Sequence, residues 1–80
     1  MRQLTLYHMD SCPYCQKVLN YLNQNNISVP TKDTVTNPKN KEELRKIGGK
    51  TQVPCLVIDG KALYESDDII QWFKDNWSKN

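Results

Sequence analysis

Cys12 and Cys15 stand three positions apart in the run Cys12-Pro13-Tyr14-Cys15, and two thiols at that spacing can close and reopen a small disulfide. The run follows a strand-like stretch and precedes a helical pattern, which puts Cys12 at the N-cap of a helix. There its sulfur can accept hydrogen bonds from the unpaired backbone N–H groups of Tyr14 and Cys15, and the thiolate is the favoured species. Pro13 falls at the first helical position, where its missing N–H costs nothing and its ring stiffens the turn. Lowering a cysteine pKa from about 8.5 to about 5 takes about 5 kcal/mol, whereas a helix terminus supplies roughly 0.3–1, or about 2 when partly buried. Direct hydrogen bonds to sulfur and a nearby cation must therefore supply the rest. Cys15 lies one turn further along the same face and nearer the core. It is expected to keep its proton and act second, resolving a mixed disulfide.

The elements that must hold this pair are readable from periodicity. Residues 2–8 alternate Leu4 and Leu6 with polar neighbours and read as a first strand. Val18, Leu19 and Leu22 recur at helical spacing from Pro13, and the pattern dissolves in Asn23-Gln24-Asn25-Asn26, so the first helix should end near residue 25. Residues 27–35 read as a second strand, kept at a sheet edge by Pro30. Asn37-Pro38 starts a helix of about three turns, with Leu44 and Ile47 as its stripe and Gly48-Gly49 as its left-handed stop. Residues 53–58 form a buried strand, Asp59-Gly60 a two-residue hairpin turn, and residues 61–64 the returning strand. Ser66 is expected to cap a last helix with an acidic first turn, Asp67 and Asp68, and a buried side of Ile69, Ile70, Phe73 and Trp77. The order β-α-β-α-β-β-α implies an α/β fold: a four-stranded mixed sheet flanked by three helices, in one domain spanning residues 1–80.

Composition narrows the partners. Eleven Lys and Arg against nine Asp and Glu leave a net charge of +2, too little to drive binding to nucleic acid by phosphate neutralisation. No apolar run reaches the length of a membrane span. The stretch after Met1 is too short for the apolar core of a signal peptide, and three cysteines suit a reducing compartment better than a secreted disulfide framework, so a cytoplasmic location is expected.

Cys12-Pro13-Tyr14-Cys15 after a short first strand, with Val53-Pro54 opening a later one, resembles a glutaredoxin of the thioredoxin superfamily over essentially the whole chain. The resemblance implies a cis peptide bond before Pro54, facing the redox motif, with the backbone of Val53 pairing with the cysteine of bound glutathione. Glu65-Ser66-Asp67-Asp68 is the second match. The γ-glutamyl end of glutathione carries a carboxylate and an ammonium. Backbone N–H groups of Ser66 and Asp67 would take the carboxylate while the Asp67 side chain takes the ammonium. The Glu65-Ser66 pair also resembles the N-terminal domain of glutathione transferases. Where many glutaredoxins carry a basic residue before the first cysteine, this chain has His8-Met9-Asp10-Ser11, with Gln52 before Val53-Pro54 and Leu63-Tyr64 in place of a glycine pair. Lys50 and Lys17 are the substitutes for the lost charge, Lys50 being favoured because it precedes the Pro54 turn. The Cys12 thiolate is thus expected to be held less firmly than in relatives with that basic residue.

The resemblance implies a glutathione-dependent thiol-disulfide oxidoreductase acting on protein disulfides and glutathionylated proteins, as a monomer. Glutathione would be a co-substrate, with no tightly bound cofactor or metal. Two alternatives stand beside it: a redoxin reduced by thioredoxin reductase, and a binding module that holds glutathione or, as a dimer, an iron-sulfur cluster. Proline after Cys12 argues against the cluster, because by resemblance glycine there is more permissive. Cys55 reads as a small buried hydrophobe at the start of a core strand. A zinc set of Cys12, Cys15, Cys55 and His8 has poor spacing for it. His8 reads as a boundary side chain near enough to tune Cys12, Tyr14 as an exposed aromatic surface, and Trp72 and Trp77 as packing residues. Lys39, Lys41, Arg45 and Lys46 read as the solvated face of the second helix.

Overall fold

Alternation along the central strands decides the architecture. In the computed structural model, which describes residues 3–77, β1 (Leu4–His8) pairs with β3 (Cys55–Ile58) antiparallel, Leu6 opposite Leu56 and Tyr7 opposite Cys55. Leu6 and Leu56 point to one face of the sheet, and Tyr7 and Cys55 to the other, so both strands are buried on both sides. On the first face α1 (Pro13–Gln24) and α3 (Ser66–Asn76) bring Val18, Leu22, Ile69 and Phe73 onto Leu6 and Leu56, joined by Ile27. On the second, α2 (Pro38–Gly48) brings Leu44 onto Tyr7, Cys55 and Val57. β2 (Thr31–Asp33) runs parallel to β1, and β4 (Lys61–Tyr64) antiparallel to β3, giving the sheet order β2-β1-β3-β4. The fold is the thioredoxin-like one expected, with elements in the expected order.

Several boundaries differ for identifiable reasons. β1 begins at Leu4, because Gln3 is tied instead to the Asp59 turn: its N–H donates to the Asp59 carboxylate at 2.8 Å. β2 shrinks to three residues. Pro30 contributes only its carbonyl, accepting from the Leu6 N–H at 2.9 Å, and the Asp33 carboxylate accepts from the Val35 and Thr36 N–H groups, turning the chain away from the sheet. β3 starts at Cys55, since Pro54 has no N–H for the ladder. The Asp59-Gly60 turn has φ of 50° and 87°, as a two-residue hairpin requires.

Asn37 caps α2 as expected, its side chain accepting from the Lys39 N–H, and Gly49 ends it in the left-handed region at φ 80°. Gly48 is the last helical residue and makes room for β4: a Cβ there would meet the Tyr64 Oη at 2.1 Å. Ile47, expected in the buried stripe, is exposed, which leaves Leu44 as the single buried residue of α2. Ser66 is not the cap of α3. Glu65 occupies that position at φ 74° with no side-chain capping bond, and Ser66 is the buried first helical residue. Only one residue separates β4 from α3, so the reversal has to be made by Glu65 itself. Trp77 lies just past the end of α3, half-buried against Phe73.

Candidate active site

The thiol pair sits where α1 begins. Cys12 is its N-cap, with extended backbone at φ −89° and ψ 116°, and Pro13 is the first helical residue. The Cys12 Sγ accepts the Cys15 N–H at 3.2 Å. Tyr14, expected as a second donor, makes no such bond among the described residues, so one backbone N–H and the helix terminus act on the sulfur. The Cys12 N–H donates to the Met9 carbonyl at 3.3 Å, and the Gln16 side chain to the Asp10 carbonyl at 3.0 Å, fixing the approach loop against α1. Cys12 is 6% exposed and Cys15 fully buried. Burial, reinforced by the hydrogen bond with Cys12, pushes the Cys15 thiol up to about 12. A slightly exposed sulfur thus stands at the helix start, with a protonated sulfur behind it.

Across from the thiols lies the turn into β3. Val53–Pro54 is cis, and the Val53 carbonyl is 3.9 Å from the Cys12 Sγ. This turn, Tyr14 and the start of α3 enclose a cleft of about 570 Å³. Tyr14 forms one wall and is 66% exposed, available to a partner. The first helical hydrogen bond of α3 runs from the Ile69 N–H to the Glu65 carbonyl, so the N–H groups of Ser66, Asp67 and Asp68 have no partner within the helix, and these three residues line the cleft. The structure thereby brings Tyr14, Val53, Pro54, Ser66 and Asp67 around one space, with the Cys12 sulfur beside its Val53 wall. A larger groove of about 700 Å³, lined by Leu4, Val29, Trp72 and Trp77 among others, shares no residue with this cleft.

The cations are arranged differently from the expectation. Lys50 is not in the cleft wall: its Nζ lies 5.0 Å above the Tyr64 ring, and its carbonyl accepts from the Tyr64 hydroxyl at 3.2 Å. Lys17 reaches the site instead, its Nζ paired with the Asp67 carboxylate and bridging α1 to α3. The lining itself carries three carboxylates, Glu65, Asp67 and Asp68, and no Lys or Arg. Gln52 donates to the Glu65 carboxylate at 3.3 Å, holding that rim together. Two features escaped the sequence reading. Nothing in a glutamate's chemistry announces the left-handed φ of Glu65, and the Lys17–Asp67 pair needs α1 and α3 to lie side by side.

The remaining candidates fall away from the cleft. Cys55 is fully buried beneath α2, and burial pushes its thiol up to about 11. Trp72 meets Phe73 edge to face at 5.2 Å between ring centres, as a packing residue would. Lys39, Lys41, Arg45 and Lys46 are exposed on α2.

The model of the family described as "Glutathione S-transferase, N-terminal domain" matches residues 6–80. An uncharacterised glutaredoxin-like 8.6 kDa protein of Clostridium pasteurianum is 30% identical over 60 residues, 75% of this chain and 80% of that one. This chain belongs to the glutaredoxin-like proteins of the thioredoxin superfamily. Glutaredoxin 3 of Escherichia coli K12 is 29% identical over 69 residues, 86% of this chain and 83% of that one. Among solved structures, glutathione transferase Omega 3C from Trametes versicolor aligns with a TM-score of 0.78 at 32% identity, over 91% of this chain and 33% of that one. The glutaredoxin-like chain thus spans about a third of that transferase. Glutaredoxin C1 from Populus tremula x tremuloides aligns with a TM-score of 0.70 at 21% identity, over 91% of this chain and 75% of that one, and shares the fold.

Proposed function

We propose that this chain is a glutathione-dependent thiol-disulfide oxidoreductase that reduces protein disulfides and glutathione mixed disulfides, working as a monomer in the cytoplasm. The observation that carries the reading is the Cys12 sulfur held at the start of α1 by the Cys15 N–H, 3.9 Å from the Val53 carbonyl, with Cys15 protonated behind it. The relatives named glutaredoxin support it.

In the first step the Cys12 thiolate attacks one sulfur of the substrate disulfide, forming the Cys12–sulfur bond and expelling the other sulfur as a thiolate. In the dithiol route Cys15 then attacks the Cys12 sulfur. Its proton passes to the departing thiolate, so the substrate leaves as a thiol and a Cys12–Cys15 disulfide remains. In the monothiol route a glutathione thiolate attacks the glutathione sulfur on Cys12, giving oxidised glutathione and restoring the Cys12 thiolate. Two glutathiones return the intramolecular disulfide to the dithiol. The burial of Cys15 serves this order, because an ionised second thiol beside Cys12 would repel the first thiolate and favour its protonation.

For glutathione, the N–H groups of Ser66 and Asp67 at the start of α3 would receive the γ-glutamyl carboxylate and the Asp67 carboxylate its ammonium, which would displace Lys17. The released Lys17 would then offset part of the acidic rim. Three carboxylates and no cation in the lining also favour a second reading, a redoxin reduced by thioredoxin reductase, because they oppose an anionic tripeptide.

The test is reduction of a glutathione mixed disulfide with NADPH, glutathione reductase and glutathione, using wild type, Cys12→Ser and Cys15→Ser. Cys12→Ser should be inactive, and Cys15→Ser should retain monothiol turnover. Turnover by Cys12→Ser would overturn the mechanism. Turnover sustained by thioredoxin reductase and not by glutathione would overturn the choice of electron donor alone.

A further inference from the structure

One polar group beside the redox loop is left without a partner. His8, the last residue of β1, is 9% exposed, and its Nδ1 is buried with no hydrogen-bond partner among the described residues. Leaving such a nitrogen unsatisfied costs about 1–3 kcal/mol. It is aimed at the Asp10 carboxylate, 3.9 Å away, too far for a hydrogen bond. Asp33, at the end of β2, is brought in by the parallel pairing that sets His8 opposite Asp33. One ligand atom from each of the three residues lies within 4.8 Å of the others.

We propose that His8 Nδ1 and the carboxylates of Asp10 and Asp33 form a binding site for a divalent first-row transition metal ion, next to the redox motif and separate from the glutathione cleft. An imidazole nitrogen with two carboxylates suits zinc, cobalt, nickel or iron(II) better than magnesium or calcium, which take all-oxygen sets. Metal–ligand distances of about 2.0–2.2 Å need the ligand atoms closer together than here. Asp10 supplies that movement: its side chain is 80% exposed and lies in the loop between β1 and α1. Asp33 is the preset ligand, its carboxylate oriented by the N–H groups of Val35 at 2.7 Å and Thr36 at 2.9 Å. Three protein ligands leave a tetrahedral ion one open position. The two carboxylates neutralise the ion, so the site adds no net charge beside Cys12. None of the three cysteines belongs to this group, which sets it apart from a thiolate zinc site.

The chain has a single histidine, which makes the test direct. The full chain carrying Cys12→Ser and Cys15→Ser, so that the thiols of the redox motif cannot compete, is titrated with Zn²⁺ by calorimetry and followed by two-bond ¹H–¹⁵N correlation of the imidazole ring. One equivalent should bind and shift the Nδ1 resonance rather than Nε2. Asp10→Asn and His8→Gln should each weaken binding at least about tenfold. Asp10 is exposed, so its substitution leaves the fold intact even if His8→Gln does not. Co²⁺ should give visible bands without the sulfur-to-metal charge transfer of a thiolate site. Binding lost in the Cys→Ser background, Nε2 coordination, affinity unchanged by Asp10→Asn, or no saturation below about 1 mM would each overturn the site.

Discussion

Removing Cys12 isolates the thiol behind it, and the reactivity of that thiol can be worked out from its burial. In a Cys12→Ser variant Cys15 loses the hydrogen bond with Cys12 but keeps the largest cause of its displacement, desolvation by burial, so the wild-type value sets the upper limit of the effect. At about pH 7.5 a thiol raised to about 12 is ionised to roughly 3 × 10⁻⁵, against about 0.1 for an ordinary thiol near 8.5, a deficit of about 3,000-fold. The more basic thiolate is the better nucleophile, and a Brønsted slope of about 0.4–0.5 over roughly 3.5 units returns about 40-fold. Ionisation alone then slows alkylation by up to about 10² relative to free glutathione, and restricted access slows it further. Iodoacetamide labelling, with the Cys15 and Cys55 peptides separated by mass spectrometry, measures it. In wild type the label should reach Cys12 first. Labelling of Cys15 within about fivefold of glutathione in the variant, or ahead of Cys12 in wild type, would refute the division of roles between the two thiols.

Gly48→Ala should destabilise by about 1–3 kcal/mol in urea titrations although alanine is the better helix former, because the new methyl meets the Tyr64 Oη and the Ala62 Cβ; a gain in stability would show that β4 can yield. Asp67→Asn should raise the KM for a glutathione mixed disulfide about tenfold while changing stability by less than about 1 kcal/mol, since its pair with Lys17 is exposed; an unchanged KM would remove Asp67 from glutathione binding. Cys55, raised from 9.0 to about 11 by burial, contributes stability that is complete below the unfolded thiol's value and is lost as pH climbs through the folded one. Wild type should therefore lose about 2–3 kcal/mol more than Cys55→Ala between about pH 9 and 11, and parallel declines of the two in urea midpoints would contradict this.

What could be read in advance was local chemistry. Asn37-Pro38, Asp59-Gly60 and the cysteine run each announce their structure because the side chain or ring acts on its own backbone, within a few residues. What could not be read depends on neighbours far along the chain. β2 is only as long as its pairing with β1 allows, so Val35, a strong strand former, ends exposed in a turn. Ser66 has the residue type of a cap, yet the one-residue connection from β4 moves that position to Glu65. Lys17 and Asp67 are 50 positions apart, and their meeting cancels the expectation that Lys50 would supply the positive charge. The candidate site was thus legible in its thiols, its proline turn and its helix start, and illegible in its electrostatics.

The attachment of α2 rests on Leu44 and on three polar straps, since Glu43 accepts from the Tyr7 hydroxyl at 3.1 Å and pairs with Lys32 at 2.7 Å, and the Asn40 side chain donates to the Asp33 carbonyl at 2.9 Å. Such thin anchorage makes this helix a candidate for detaching while the rest of the molecule stays folded, as a low-energy opening visible in amide hydrogen exchange. Cys55 lies directly underneath, so each opening would bare a thiol that the closed molecule conceals. Its slow modification by a neutral reagent would then count these excursions, making the third cysteine a clock for local unfolding on the side of the sheet away from α1 and α3.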